Sequence, residues 1–284
     1  MITAKKKAFT LIELLVVIAI IALLLSIVVP SLNMAKSKAQ KIICKNGIRQ
    51  LCLASLLYAE GHAGELPINT GWNTSGGWFW DLSFWSSNRM MEAGGLDQKE
   101  FFCPSERNKV PDDARFWQYS RCPSSTNPVS LLDESALTLQ EQHASYRVLP
   151  YIFLIDKIDV DPASANYKKS VRPTGGTLTN PKYEWVRYAN RVRNAGSHEM
   201  VVDAVIESLA TPTRFDQVAG GAVGKYGIYD STCHLRRQSF SAGATSLGRM
   251  PEGGNVGFVD GHVDWRAKDP DMYRQLNFGQ YFWW

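Results

Sequence analysis

From Phe9 to Val29 runs a stretch of 21 residues, "FTLIELLVVIAIIALLLSIVV", in which only Thr10, Glu13 and Ser26 are polar. As a helix rising ~1.5 Å per residue, it spans about 30 Å, the hydrocarbon thickness of a bilayer. A secretory signal has a shorter apolar run, about 7 to 15 residues, closed by a small-residue cleavage site. Ser26 to Pro30 offers no such site. The run therefore reads as a membrane-spanning helix. Lys5, Lys6 and Lys7 just before it set the orientation, with the N-terminus inside and everything after Val29 on the outer side of the cytoplasmic membrane. Without residues 1 to 8, the 31 basic side chains fall by three to 28, against 27 acidic ones, so the charge of +4 belongs largely to this leader. Lys and Arg are otherwise scattered, and no nucleic-acid partner is expected.

One charge inside the apolar run needs an explanation. Glu13 at membrane depth costs about 2.5 kcal/mol or more, which marks it as functional and in need of a partner. Downstream, Leu32, Ala35, Ala39, Ile42 and Ile43, then Ile48, Leu51, Cys52 and Leu56, recur at three- and four-residue steps, with Lys and Arg between them. The helix is thus expected to continue for about 50 residues, with one dry face, toward stop signals at Gly61 and Gly64. Pro30 and Gly47 are its expected weak points, with local melting near Pro30.

The segment "KKKAFTLIELLVVIAIIALLLSIVVP" resembles the leader and first helix of type IV pilins and type II secretion pseudopilins. The resemblance implies that prepilin peptidase cuts at Ala8/Phe9 and methylates the new amino group, although Ala8 stands where the family usually has glycine. It also makes Phe9, Glu13 and Pro30 assembly residues, and implies as partners copies of the chain or other pilin-like subunits, an inner-membrane assembly platform, and lipid before assembly. Cleavage would create an ammonium at Phe9. Glu13 could meet that charge within its own helix, at i,i+4, or in a neighbouring subunit; breaking such a buried pair costs about 3 to 5 kcal/mol. Two further stretches, "CKNGIRQLCLASLLYAEGHAGELP" and "GGNVGFVDGHVDW", resemble the pilin-like proteins of planctomycetes and their relatives. That group carries a histidine nine residues ahead of the Asp-Gly pair, and this chain has Met250 there.

Residues 61–284 read as an exported globular head, following a leader (1–8), a transmembrane and assembly half-helix (9–29) and an amphipathic half-helix (30–60). Strand-like stretches lie at 146–155, 198–208, 224–230 and 255–266, the last a hairpin turning at Asp260-Gly261. The expected fold class is α+β: a long N-terminal helix with an antiparallel β-sheet head on its dry face. Cys103 and Cys122 stand in matching "CPS" contexts and would pair as a disulfide in an exported head, or stay as two buried thiols. Cys44 and Cys52 read as core packing. Asp260, His262 and Asp264 alternate along a strand and could begin a metal site, with calcium the ion to test; turn and surface roles are the alternative. The segment "DKIDVDP", with Asp156, Asp159 and Asp161, reads as a solvated loop. His143, His198 and His234 look isolated, and no G-x-S-x-G, H-E-x-x-H or phosphate-loop motif occurs. Tryptophans crowd "GWNTSGGWFWDLSFW" and "FGQYFWW", as core fill or as a partner surface. These features point to a prepilin-like subunit and not an enzyme. The alternative is a membrane-tethered module that binds a glycan or protein without polymerising.

Overall fold

The computed structural model describes residues 11–71, 81–105, 117, 119–120, 137–165, 167–169, 185–208, 232–235, 251–267, 274–277 and 280–283. The chain divides into two compact units, residues 1–40 and 41–284. Helix α1, Leu11–Gly61, runs through both. In the first unit every large aliphatic side chain from Leu11 to Val29 is exposed, as a lipid-facing segment requires. Among the described residues this is the one helix long and apolar enough to cross a membrane.

The expected melting at Pro30 does not occur, because α1 is helical straight through it. Proline removes a single N–H from the ladder. Serine hydroxyls support the turns on either side, Ser26 Oγ donating to the Leu23 carbonyl at 2.7 Å and Ser31 Oγ to that of Val28 at 2.9 Å.

In the second unit the buried stripe of α1 is Cys44, Ile48, Leu51, Cys52, Ala54, Ser55 and Ala59. Ile48, Leu51 and Cys52 were expected there, whereas Leu32, Ile42 and Ile43 are exposed. The difference is one of helical phase. Cys44, Ile48, Leu51, Cys52, Ser55 and Ala59 recur at three- and four-residue steps on one face, and Ile42 and Ile43 lie off it. Two glycines let the helix lie close to the head: a Cβ on Gly257 would sit 2.6 Å from Cys52 Sγ and 2.7 Å from Ile48 Cγ2, and one on Gly47 would sit 3.2 Å from the Glu100 carbonyl. Gly47 is thus a packing position in α1.

The sheet against this stripe is antiparallel, built from β5 (Tyr151–Phe153), β7 (Glu199–Asp203), β9 (Gly253–Phe258) and β10 (Val263–Ala267), in the order β10-β9-β7-β5. Strands β5, β7 and β9 are wholly buried, and Val201, Val202, Ile152 and Val256 fill the core with the helix. The expected hairpin is β9-β10, turning at Asp260 and Gly261, where φ is +86°. A second antiparallel sheet joins β2 (Asp81–Ser83), β3 (Tyr119–Ser120) and β4 (Ser145–Val148). A third joins β8 (Val205–Ser208), β11 (Arg274–Asn277) and β12 (Gln280–Trp283). The terminal β11-β12 hairpin was not expected from sequence. A parallel pair, β1 (Asn69–Gly71) with β6 (Lys157–Asp159), completes the mixed α+β head, together with α2 (Phe84–Gly94) and α3 (Leu139–Ala144). The strand expected at 224–230 lies outside the described residues.

Arg147 on β4 is 1% exposed and organises the second sheet. Its guanidinium donates to Ser87 Oγ at 2.6 Å, Asn88 Oδ1 at 2.7 Å and the Trp117 carbonyl at 2.9 Å, and it lies 3.7 Å from the Trp117 ring centre. A planar fork of donors makes such burial tolerable.

Candidate functional site

The segment "DKIDVDP" is β6 and its following turn, not a solvated loop. Asp156, Asp159 and Asp161 are buried and cap local backbone. Asp159 Oδ1 accepts from Asp161 N and Asp161 Oδ1 from Ala163 N, both at 2.9 Å, while Asp156 Oδ1 accepts from Lys157 N at 3.1 Å.

Asp260, His262 and Asp264 do come together at the β9-β10 turn. His262 Nδ1 lies 2.5 Å from Asp260 Oδ1, and Nε2 lies 3.6 Å from Asp264 Oδ2. The same Asp260 oxygen accepts the His262 backbone N–H at 3.0 Å, and that hydrogen bond holds the Asp260 carboxyl below its usual range. His262 also stacks on Phe258, with ring centres 4.2 Å apart. These three groups are thus engaged with one another at the surface.

Among the described residues, a cluster of reactive side chains lies elsewhere, between α1 and the main sheet. Cys44 from α1, Cys103 from the segment after the 3₁₀ turn Gln98–Phe101, Asp203 from the end of β7, and His234 bring one ligand atom each to within 4.8 Å of one another, all buried. The Cys44 thiol donates to Asp203 Oδ1 at 3.0 Å, His234 Nε2 lies 3.2 Å from Asp203 Oδ2, and Cys103 Sγ lies 3.6 Å from His234 Nε2. Around them, His234 Nδ1 meets Ser105 Oγ at 3.0 Å, and Asn255 donates its backbone N–H and side-chain amide to Asp203 Oδ2 at 2.7 and 2.8 Å.

The electrostatics of the cluster follow from this crowding. Burial, with Cys103 and Asp203 beside it, pushes the Cys44 thiol up. Burial would raise Cys103 too, but hydrogen bonds with Cys233, Cys44 and His234 outweigh it and hold this thiol well below its ordinary value. For His234, burial pulls down while the Asp203 carboxylate and Cys103 pull up, to about 10. Cys103 is thus a free thiol within a cluster. Its expected disulfide partner, Cys122, lies outside the described residues. His234, which looked isolated in sequence, meets Cys103 and Ser105 from 131 and 129 residues away, and Asp203 from the end of β7.

At the other end of the chain, Glu13 stands exposed in the first turn of α1, within the apolar segment. Lys5, Lys6, Lys7, Ala8 and Phe9 lie outside the described residues, as do most of the first aromatic stretch and the side chains of the last. Residues 3–29 match the family model of the prokaryotic N-terminal methylation motif. The match supports a type IV pilin-like prepilin segment, and with it a subunit of the pilin and pseudopilin type generally. No curated protein and no solved structure matches the chain.

The pilin-type motif implies processing by prepilin peptidase and assembly as a pilin in general terms, and it indicates a structural protein. Together with the apolar helix it is consistent with membrane anchoring. The fold accords: a long apolar N-terminal helix followed by an α+β region with antiparallel sheets. On the head a cleft of ≈ 450 Å³ is lined by Trp185, Arg187, Tyr188, Arg191, Arg193 and His198.

Proposed function

We propose that the chain is a prepilin-like structural subunit, cut at Ala8/Phe9, N-methylated there, and built through its N-terminal helix into a type IV pilus-like filament or a type II secretion pseudopilus. The observation that carries this is the methylation motif over residues 3–29, which begins α1 and contains Glu13 as its acidic residue. The precursor sits in the cytoplasmic membrane as a single span with its head outside, by the positive-inside rule. After cleavage the Phe9 ammonium is the natural partner of Glu13, in the same subunit or in the next. The head of more than 200 residues favours a minor or specialised subunit over a major one.

A second reading, a tethered module that does not polymerise, draws on the basic and aromatic cleft, where the Arg191 guanidinium lies 4.0 Å from the Tyr188 ring centre. Glu13→Ala separates the two. The filament reading expects the wild type to assemble in a shear or crosslinking assay and the variant to insert normally but lose assembly; unchanged assembly of the variant would sink the Glu13 pairing, and a wild type that inserts without assembling would favour the tethered module.

A further inference from the structure

The buried group formed by Cys44, Cys103, Asp203 and His234 has the composition and spacing of a metal shell, and it serves neither the membrane helix nor the turn at Asp260. We infer that it binds a thiophilic divalent ion, zinc(II), as a structural clamp between α1 and the main sheet. This inference does not depend on the pilin reading.

Three features carry it. The first is ligand chemistry: two thiols, an imidazole and a carboxylate are the donor types that zinc takes in closed four-coordinate sites. The second is spacing. Bonds of about 2.0 to 2.3 Å in a tetrahedron separate ligand atoms by about 3.3 to 3.8 Å. The observed separations of 3.0, 3.2 and 3.6 Å fall at or just below that edge, and no pair exceeds 4.8 Å, so an ion would require only a small outward movement.

The third is the surrounding shell, which orients each ligand as metal sites require. Ser105 Oγ holds His234 Nδ1 at 3.0 Å, which turns Nε2 inward. Asn255 fixes the Asp203 carboxylate with two N–H bonds. The Tyr151 hydroxyl lies 3.6 Å from Cys44 Sγ, and the neighbouring thiol of Cys233 reaches both the Cys103 sulfur and the Pro150 carbonyl, the latter at 3.6 Å.

The exchange balances in protons and charge. Zinc takes Cys44 and Cys103 as thiolates, His234 through a bare Nε2 and Asp203 as the carboxylate, so from two thiols and a neutral ring carrying its proton on Nδ1, the two thiol protons leave for one divalent cation. Four protein ligands complete the shell and leave no position for a reacting water, which makes the site structural and not catalytic. Its ligands come from four separate parts of the chain: α1, the segment after the 3₁₀ turn, β7, and the segment 232–235. A bound ion therefore ties the helix to the sheet.

The test uses the full chain, purified in detergent under reducing conditions. Elemental analysis after incubation with zinc(II) and desalting is expected to give close to one zinc per chain. Cobalt(II) in its place is expected to show thiolate-to-cobalt charge transfer and the intense visible bands of tetrahedral coordination. Cys103→Ser and His234→Gln should lose both signals, whereas Cys52→Ser, a buried thiol outside the group, should keep them. Should the cluster variants fail to fold, the wild type still decides the matter, because chelation should lower its melting temperature and zinc should restore it. Zinc no higher than in a buffer control, a melting temperature indifferent to chelator, or Cys103 found in a disulfide in protein taken unreduced from the cell envelope would each overturn the inference.

Discussion

His143 shows how a single buried group couples this head to pH. Its ring packs 5.3 Å from the Trp85 ring, with Nδ1 2.8 Å from Thr70 Oγ1, and burial lowers it from 6.5 to about 4. The unfolded chain takes up a proton near pH 6.5, but the folded chain does so only near pH 4. Stability from this residue is therefore complete above about pH 6.5 and is lost as the pH falls toward about 4. Melting temperature measured against pH should fall through that window, and His143→Gln should flatten the slope there; an equal slope in both proteins would contradict the assignment. At this scale sequence reading succeeds where the signal is local. Glu13 is conspicuous because a charge interrupts an apolar run within a few residues. His234 was not legible, because Cys103 lies 131 residues away and the Cys44–Asp203 contact spans 159. Only the folded chain brings those four together.

Among the elements, α1 and the β9-β10 hairpin were legible for related reasons. One has a sustained apolar run followed by helical periodicity, and the other has an Asp-Gly turn between alternating residues. The packing face of α1 was misread in part, since periodicity marks apolar positions without telling which of them can approach a sheet. The β11-β12 hairpin was missed because its aromatic residues drew attention as a cluster; the glycine in "NFGQ" between two short runs was the available signal. The helix–sheet contact makes a specific prediction. Gly257→Ala places a Cβ against Cys52 Sγ and Ile48 Cγ2 and should cost about 1 to 3 kcal/mol by overpacking. Adding Cys52→Ala should recover part of that loss in chemical denaturation of the full chain, because neighbouring sites couple. Strictly additive effects would mean that the two residues do not touch.

For the whole molecule, the chain forms two compact units, 1–40 and 41–284. Buried residues between 44 and 59 of α1 supply one wall of the core of the second unit. The head is thus built onto the same helix that carries the methylation motif. If the chain is a pilin-type subunit, its first eight residues are a leader to be removed, and the protein in the membrane or filament must begin at Phe9. The most direct test is the mass of the mature N-terminal peptide from chain isolated from its native envelope. The account predicts a peptide beginning with N-methylated Phe9; an intact Met1, or a cut after Ser26, would contradict it.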